Sequence, residues 1–558
     1  MTMTHEVTAL APLHDEGAAS KARLAAQASS GPHHHPHPKA LAPANLILTV
    51  VLSVFGAIVG MQMLASLGIT PSTSLIGALA AMTLARVPLA MFRGFRSVHA
   101  QNLAQTSISS ATFGAANSLF LPIGIPFLFG LPDMVVPMLV GVSLAMLLDA
   151  WLLYRMFDTP AFPARNPWPL GIAAAEAIKA GDGGGKQAWL LLGGLATGVA
   201  GAVFKLPMSA FGVALIGGLG AMIAFGIGLL VRGYSAPLFG LDIGALYVPH
   251  GMMIGAGIVA LVQVGRVVLK KRDSGSRNAA ADTQEARGAT ALGRSLRLGS
   301  VGYLAIMVLL AVGTGVYTGM SPTMLVCFVV YGTFAAFVHE LIVGIAAMHS
   351  GWFPAFAVAL ISLLIGILIG FPPEALVVLA GFSAATGPAF ADMGYDLKAG
   401  HILRGETSGT AFELDGRREQ MIAGMVGFAV AIVVVACTYK MFFANHQTAP
   451  INAAYVAAIK AGISGDTARN LALWAVPGAI LQVLGGSRQQ LGVLFATGLL
   501  IASPMAGWMV AAGIACRLVV HRVVGVSARE KLEVFAGGVI AGDALYSFFS
   551  GAVKSLRK

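Results

Sequence analysis

Apolar runs long enough to cross a lipid bilayer recur along the whole chain, and that recurrence leaves few folds open. A spanning helix needs about 20 apolar residues. Leu46–Leu67, Ser74–Phe92, Met134–Tyr154, Ala188–Phe204, Phe211–Val231 and Val248–Val268 meet or approach that length. After a basic stretch the pattern resumes with Leu298–Gly319, Thr323–Ala347, Phe353–Phe371, Ala375–Phe390, Met421–Tyr439 and Leu471–Leu484. Leu491–Ser503, Met505–Val520 and Val534–Phe549 complete it. Charged residues are only 11% of the chain, against about 25% in soluble proteins. In lipid every backbone polar group must be satisfied within the protein, and runs of this length select helices over a closed barrel. The expected fold is all-α, a polytopic membrane protein of about 14 to 16 transmembrane helices.

A second feature divides the series. Residues 177–181 and 458–462 both read AIKAG, and Pro169 and Pro450 stand nine residues before Ile178 and Ile459. The copies are 281 residues apart, about half of the 558-residue chain. Two homologous halves meeting around a midplane site are the signature of a transporter. The expected organisation is a His/Pro/Ala-rich tail at 1–43, a transmembrane half at 44–269, a basic linker at 270–297 and a second half at 298–558. The linker carries Lys270, Lys271, Arg272, Arg277, Arg287, Arg294 and Arg297. The excess of Lys and Arg in cytoplasmic loops places it inside, and Lys554, Arg557 and Lys558 agree, so both termini are expected in the cytoplasm. Gln101–Leu131, with Pro122 and Pro126, the brief Ala236–Pro249, and the interruption at Phe371–Pro373 read as broken or re-entrant segments. Such backbone survives at membrane depth only against protein or a wet cavity, which points to the transport path.

Other classes recede. The net charge of +11 is spread over loops and forms no stripe with interleaved aromatics, so no nucleic-acid partner is expected. Glycine is 69 of the residues. Gly220, Ala224 and Gly228, and Gly251 with Gly255, have the small-xxx-small spacing that lets helices approach closely. Cys327, Cys437 and Cys516 sit in apolar runs without metal spacing and read as small core residues. The first 40 residues lack the apolar core of a signal peptide. His33, His34, His35 and His37 are weak metal candidates beside the simpler reading of a tail of biased composition. His339, Glu340, Leu341, Ile342 is followed by Val343 where a zinc-protease motif needs histidine. GDGGGK at 181–186 has Ala180 and Gln187 where a phosphate loop needs glycine and Ser or Thr. Gly381–Ala385 lacks the final glycine of a nucleophile elbow. Neither an enzyme nor a bound cofactor is expected.

Four stretches carry a family resemblance. LYVPHGMMIGAGIVALVQ (Leu246–Gln263) resembles the signature of the oligopeptide transporter superfamily, which includes the yellow-stripe-like metal-chelate carriers. ADMGYDLKAGHILRG (Ala391–Gly405) is similar to that family's Asp-Leu-Lys-small-Gly element. GITPSTSLIGALAAM (Gly68–Met82) and QNLAQTSISSATFGAANSLFLPIGIP (Gln101–Pro126) resemble family segments as well. Ser66, Leu67 and Gly68 stand where many relatives carry a Gly-Leu-Lys-type element, so the chain resembles a divergent bacterial-type member. The resemblance implies a secondary, typically proton-coupled symporter of the inner membrane, surrounded by lipid, with small peptides or metal chelates as substrates. Oligomerisation stays open.

Ionisable residues inside spans cost about 2.5–3.5 kcal/mol each on insertion scales and are candidates for function by default. His339 and Glu340 lie within Thr323–Ala347, and His349 just beyond it. Ten residues put the two histidines about 80° apart on a helix, so they can face one cavity, and the set suits proton coupling. The resemblance places Asp392, Asp396, Lys398 and His401 near the substrate path; on their own they read equally as a solvated loop, as Arg404, Glu406, Glu413 and Asp415 do. His250 opens a glycine-rich helix whose N-terminus can receive an anion or simply be capped. Asp543 lies deep in the last run and needs a cation partner or a proton role. Gln101, Gln105, Ser107, Ser109, Ser110, Thr112 and Asn117 make a polar stripe, either a helix-packing seam or a wet wall. The sequence therefore favours secondary active transport driven by protons. A passive channel is the alternative, and an intramembrane enzyme a weaker one.

Overall fold

The computed structural model describes residues 37–68, 97–159, 161–166, 168–181, 186–273, 282–350, 355–405, 410–462, 465–525 and 528–556. These residues are helical, with no strand beyond an isolated bridge between Phe157 and Phe162. Pro38–Lys558 forms one compact unit. The first helices are α1 (Pro43–Leu67), α2 (Val98–Phe113), a π-helical turn (Gly114–Phe120), α3 (Leu121–Phe129), α4 (Val135–Met156) and α5 (Pro169–Gly181). Next come α6 (Lys186–Val203), α7 (Met208–Ile216), α8 (Leu219–Phe239), α9 (Val248–Asp273) and α10 (Asp282–Gly313). The chain continues with α11 (Pro322–Ser350), α12 (Ala355–Ile369), α13 (Pro373–Ala385), α14 (Pro388–Arg404) and α15 (Thr410–Ala444). It ends with α16 (Asn452–Ala461), α17 (Gly465–Gln489), α18 (Leu491–Leu500), α19 (Pro504–Val524) and α20 (Arg529–Leu556).

Nine helical stretches among the described residues are long and apolar enough to cross a membrane, and four shorter apolar helices accompany them. The outward faces are themselves apolar. Val301, Val308 and Val312 on α10 and Val326, Val330 and Phe334 on α11 are exposed, which water would penalise and lipid tails would not. Cys327 and Cys437 share this outward exposure, so they are not the core residues their apolar surroundings suggest. A helix in lipid needs only an apolar exterior, and small side chains are tolerated there.

The most extensive interfaces join helices distant in sequence: α6 with α20, and α9 with α17. Glycine makes the close approach possible, because a Cβ on Gly198 would run into the Val539 carbonyl and one on Gly255 into that of Ala475. Gly228 meets the Phe495 carbonyl on α18 in the same way. The small-residue spacings at 220–228 and 251–255 thus mark real helix contacts, where dispersion between backbones replaces a hydrophobic drive that lipid does not supply.

Two features position the candidate site. The first is the break between α13 and α14. Thr386 is extended (φ −78°, ψ 141°), Gly387 has φ +97°, and Pro388 opens α14. Glycine tolerates the left-handed region that a side chain would strain, and proline fits the first helical turn, where its missing N–H costs nothing. Every residue from Ala375 to Gly400 is buried. The second is α2 with its π turn and α3, which run as one 32-residue stretch through Pro122 and Pro126. Here the structure corrects the sequence reading, in which those prolines broke the segment. The wider π turn just before Pro122 supplies slack for the missing N–H.

A third correction concerns residues 404–415. Arg404 ends α14 and Glu413 and Asp415 lie in the first turns of α15, so these three are not a solvated loop. Glu406 lies outside the described residues. So do His33, His34 and His35, with His37 at their edge, and most of Gly68–Met82.

Candidate functional site

The break before α14 is surrounded by acidic and hydroxyl groups from three other helices. Asp149 of α4 has no exposed surface. Its Oδ1 accepts from the Tyr303 hydroxyl at 2.5 Å and its Oδ2 from the Gly387 N–H at 2.6 Å. The carboxylate therefore holds the N-terminus of α14, where the aligned peptide dipoles favour negative charge. Glu340 of α11 is equally buried and lies close enough to Tyr303 and Asp149 to be felt electrostatically. Neither of its oxygens has a hydrogen-bond partner within bonding geometry among the described residues. No Lys or Arg among the described residues pairs with either carboxylate, while pairs of that kind are made elsewhere in the molecule.

His339 precedes Glu340 but turns to a different set of neighbours. Its Nε2–H donates to the Ala355 carbonyl at 2.7 Å. Its Nδ1 lies 3.2 Å from the Thr386 hydroxyl, which is also 3.1 Å from the Ser383 carbonyl. One hydroxyl proton serves two acceptors, so the tautomer of His339 is tied to the backbone at the end of α13. Adjacent residues on a helix differ by about 100° in direction, which is why the sequence pair divides. The side chain of His349 lies outside the described residues.

From Gly387, α14 runs about 25 Å at 1.5 Å per residue, and polar groups follow it. Ser109 Oγ donates to Asp392 Oδ1 at 2.8 Å, and Gln105 Nε2 to Asp396 Oδ1 at 2.5 Å. Ser110 Oγ is 3.5 Å from Asp396 Oδ2. Gln420 of α15 donates to the Asp396 carbonyl at 2.7 Å and approaches the Thr106 hydroxyl. Two groups that the sequence leaves unconnected, the α2 stripe and the Asp392–His401 stretch, are thus one hydrogen-bonded seam. Elsewhere on the stripe Ser107 meets Ser53 of α1, Thr112 donates to the Ile108 carbonyl, and Asn117 lies 3.4 Å from the Phe113 carbonyl. Gln101 keeps a buried Oε1 without a hydrogen-bond partner among the described residues.

Farther along α14, Lys398 Nζ donates to the Ala164 carbonyl at 2.7 Å. At the helix end Arg404 grips Glu413 through two nitrogens, at 2.6 and 3.2 Å, and donates to Gln420. Arg417 bridges Glu413 to Asp158, and His401 Nδ1 is 3.3 Å from Glu413. Bidentate arginine–carboxylate contacts are directional and strong, so this end of α14 is clamped.

The remaining candidates lie apart from these groups. His250 sits in the first turn of α9 with a buried Nδ1 lacking a hydrogen-bond partner among the described residues. The turn before it is fixed by Asp242, whose carboxyl is held below the ordinary range by the backbone N–H groups of Ala245 and Gly244 and by Arg232. Asp543 of α20 accepts the Ser209 N–H at the start of α7 at 2.6 Å; it meets a helix N-terminus, not a cationic side chain.

Asp149 and Tyr303 were absent from the sequence candidates although a signal existed. Both lie inside apolar runs, and a carboxylate in Met134–Tyr154 meets the same criterion that singled out Glu340. Gly387 carried no such signal, because its role is a backbone N–H and a φ angle.

One family model, described as OPT oligopeptide transporter protein, matches residues 41–270 and 240–553. No curated protein and no solved structure matches the chain.

Proposed function

The chain belongs to the OPT oligopeptide transporter family, and on that premise we propose that it symports small peptide-like solutes or metal chelates with protons. It is an integral membrane protein whose family acts in transport; the proton coupling, the substrate range and the residues that carry them are the proposal. The observation that carries it is the buried pair Asp149 and Glu340, with donors arranged for Asp149 alone. Two carboxylates in a low-dielectric interior, with no Lys or Arg paired to them among the described residues, strongly oppose holding two charges at once. A proton taken up by the pair is thereby bound, and one released must be compensated.

Because Asp149 holds the Gly387 N–H, protonation there weakens the grip on α14. A helix transmits such a change as a rigid body to the seam at Asp392 and Asp396. The opposite end, clamped by Arg404 and Glu413, acts as the pivot. His339, through Thr386, senses the same break. In this reading the basic stretch at 270–297 and both termini face the cytoplasm of a bacterial-type inner membrane. The two halves supply alternating access, and α6 of the first packs on α20 of the second as α9 packs on α17.

Uptake into proteoliposomes under an imposed pH gradient tests the assignment, with dipeptides and metal chelates as parallel solutes. Glu340→Gln and Asp149→Asn are expected to reduce gradient-driven accumulation by about ten-fold or more while keeping solute counterflow. If both variants concentrate solute as well as wild type, the coupling role of the pair is wrong. Wild-type flux that no gradient can concentrate would instead indicate a passive channel.

A further inference from the structure

Away from the acidic break, a cavity of about 290 Å³ opens where the end of α1, the α6–α7 turn, the start of α19 and α20 meet. Its polar lining includes Gln62, Ser66, Lys205, Ser503, Asp543 and Ser547. The two charges are not equivalent. Asp543 and Gln62 are more than nine-tenths buried, whereas Lys205 and Ser66 are exposed. Asp543 is also held in place, its Oδ2 accepting the Ser209 N–H at 2.6 Å. Lys205 stands at φ +62° at the turn that ends α6, and its ammonium forms no ion pair among the described residues. The cavity therefore offers a buried, anchored carboxyl and an exposed ammonium without an ion pair among the described residues, with hydroxyl and amide groups also in its lining.

We propose that this cavity binds a small zwitterion, of amino-acid to dipeptide size, with its ammonium toward Asp543 and its carboxylate toward Lys205. The volume lies just below the range of drug-sized pockets, about 300–1,000 Å³, which suits that size. A buried carboxylate rejects a ligand end that cannot supply a positive donor, because its own charge would lose solvent for nothing. A flexible exposed lysine acts as a point charge toward a carboxylate and discriminates less sharply. The site rests on reading the chain as a carrier of peptide-like solutes, yet it predicts binding with no gradient present, so it fails separately from the coupling reading.

The test is equilibrium binding to the purified full-length protein in nanodiscs of phosphatidylcholine, with Ala-Ala as the probe. N-acetyl-Ala-Ala, Ala-Ala amide and glycerophosphoethanolamine serve as competitors. Loss of the amine is expected to weaken binding about ten-fold or more, and loss of the carboxylate by less. Asp543→Asn, which can still accept from Ser209, should remove the discrimination against the acetylated peptide. Lys205→Gln, at an exposed position, should remove that against the amide. Equal binding of all three peptides to wild type, or unchanged preferences in both variants, would show that Asp543 is only the cap of α7. If Asp543→Asn does not fold, Lys205→Gln with the amide decides. A preference for glycerophosphoethanolamine over Ala-Ala would overturn the proposal in favour of a lipid headgroup.

Discussion

Two stretches of equal length, Val98–Phe129 and Pro373–Arg404, each 32 residues, lie side by side in the core and treat proline differently. The first continues as helix through Pro122 and Pro126; the second stops at Thr386 and Gly387 and restarts at Pro388. Proline alone therefore does not decide a break. In the first stretch the π turn absorbs the missing N–H. In the second, Gly387 at φ +97° releases its own N–H toward a buried acceptor, Asp149. The two stretches also divide the polar chemistry, since α2 supplies donors through Gln105 and Ser109 and α14 supplies the carboxylates that accept them. The continuous stretch supplies a row of donors, and the broken one presents its carboxylates to them and a helix N-terminus to Asp149.

The sharpest way to break this contrast is Gly387→Ala. A Cβ there would lie 2.9 Å from that of Val343, on a backbone that side chains rarely adopt. A loss of roughly 2–4 kcal/mol follows from strain and overpacking together, read as a lower melting temperature in detergent. Wild-type stability would mean that the break is not held by its glycine. Gln105→Leu comes next. It removes the 2.5 Å donor to Asp396 and should cost about 1–2 kcal/mol in the same assay; an unchanged melting temperature would show the seam to be incidental. Pro122→Ala is expected to change stability least, by about 1 kcal/mol or less, since the π turn already accommodates the geometry. A large loss there would mean that proline itself sets the path of the first stretch.

Much of this contrast could be read along the chain, and some could not. The Phe371–Pro373 interruption falls between α12 and α13 as expected. The polar stripe on α2 was visible as a periodic pattern, although its partners were not. The break at Gly387 escaped notice because Ala375–Phe390 reads as one hydrophobic span and hydropathy is blind to a φ angle, although Gly387-Pro388 is a turn signal. Asp149 is the instructive miss, an ionisable group in an apolar run that the general rule covers. His339 and Glu340 are the opposite case, adjacent in sequence and therefore paired, yet turned toward Ala355 and Thr386 on one side and Tyr303 and Asp149 on the other.

Length and hydropathy by themselves determined that this chain is a bundle of helices in lipid, because backbone satisfaction and apolar exposure are local requirements met within each segment. Which buried groups meet was decided only by the tertiary structure. Asp149 and Gly387 are 238 residues apart and Gln105 and Asp396 are 291 apart. No local propensity couples such pairs. They come together because each buried polar atom must find its partner on whichever helix the packing brings beside it.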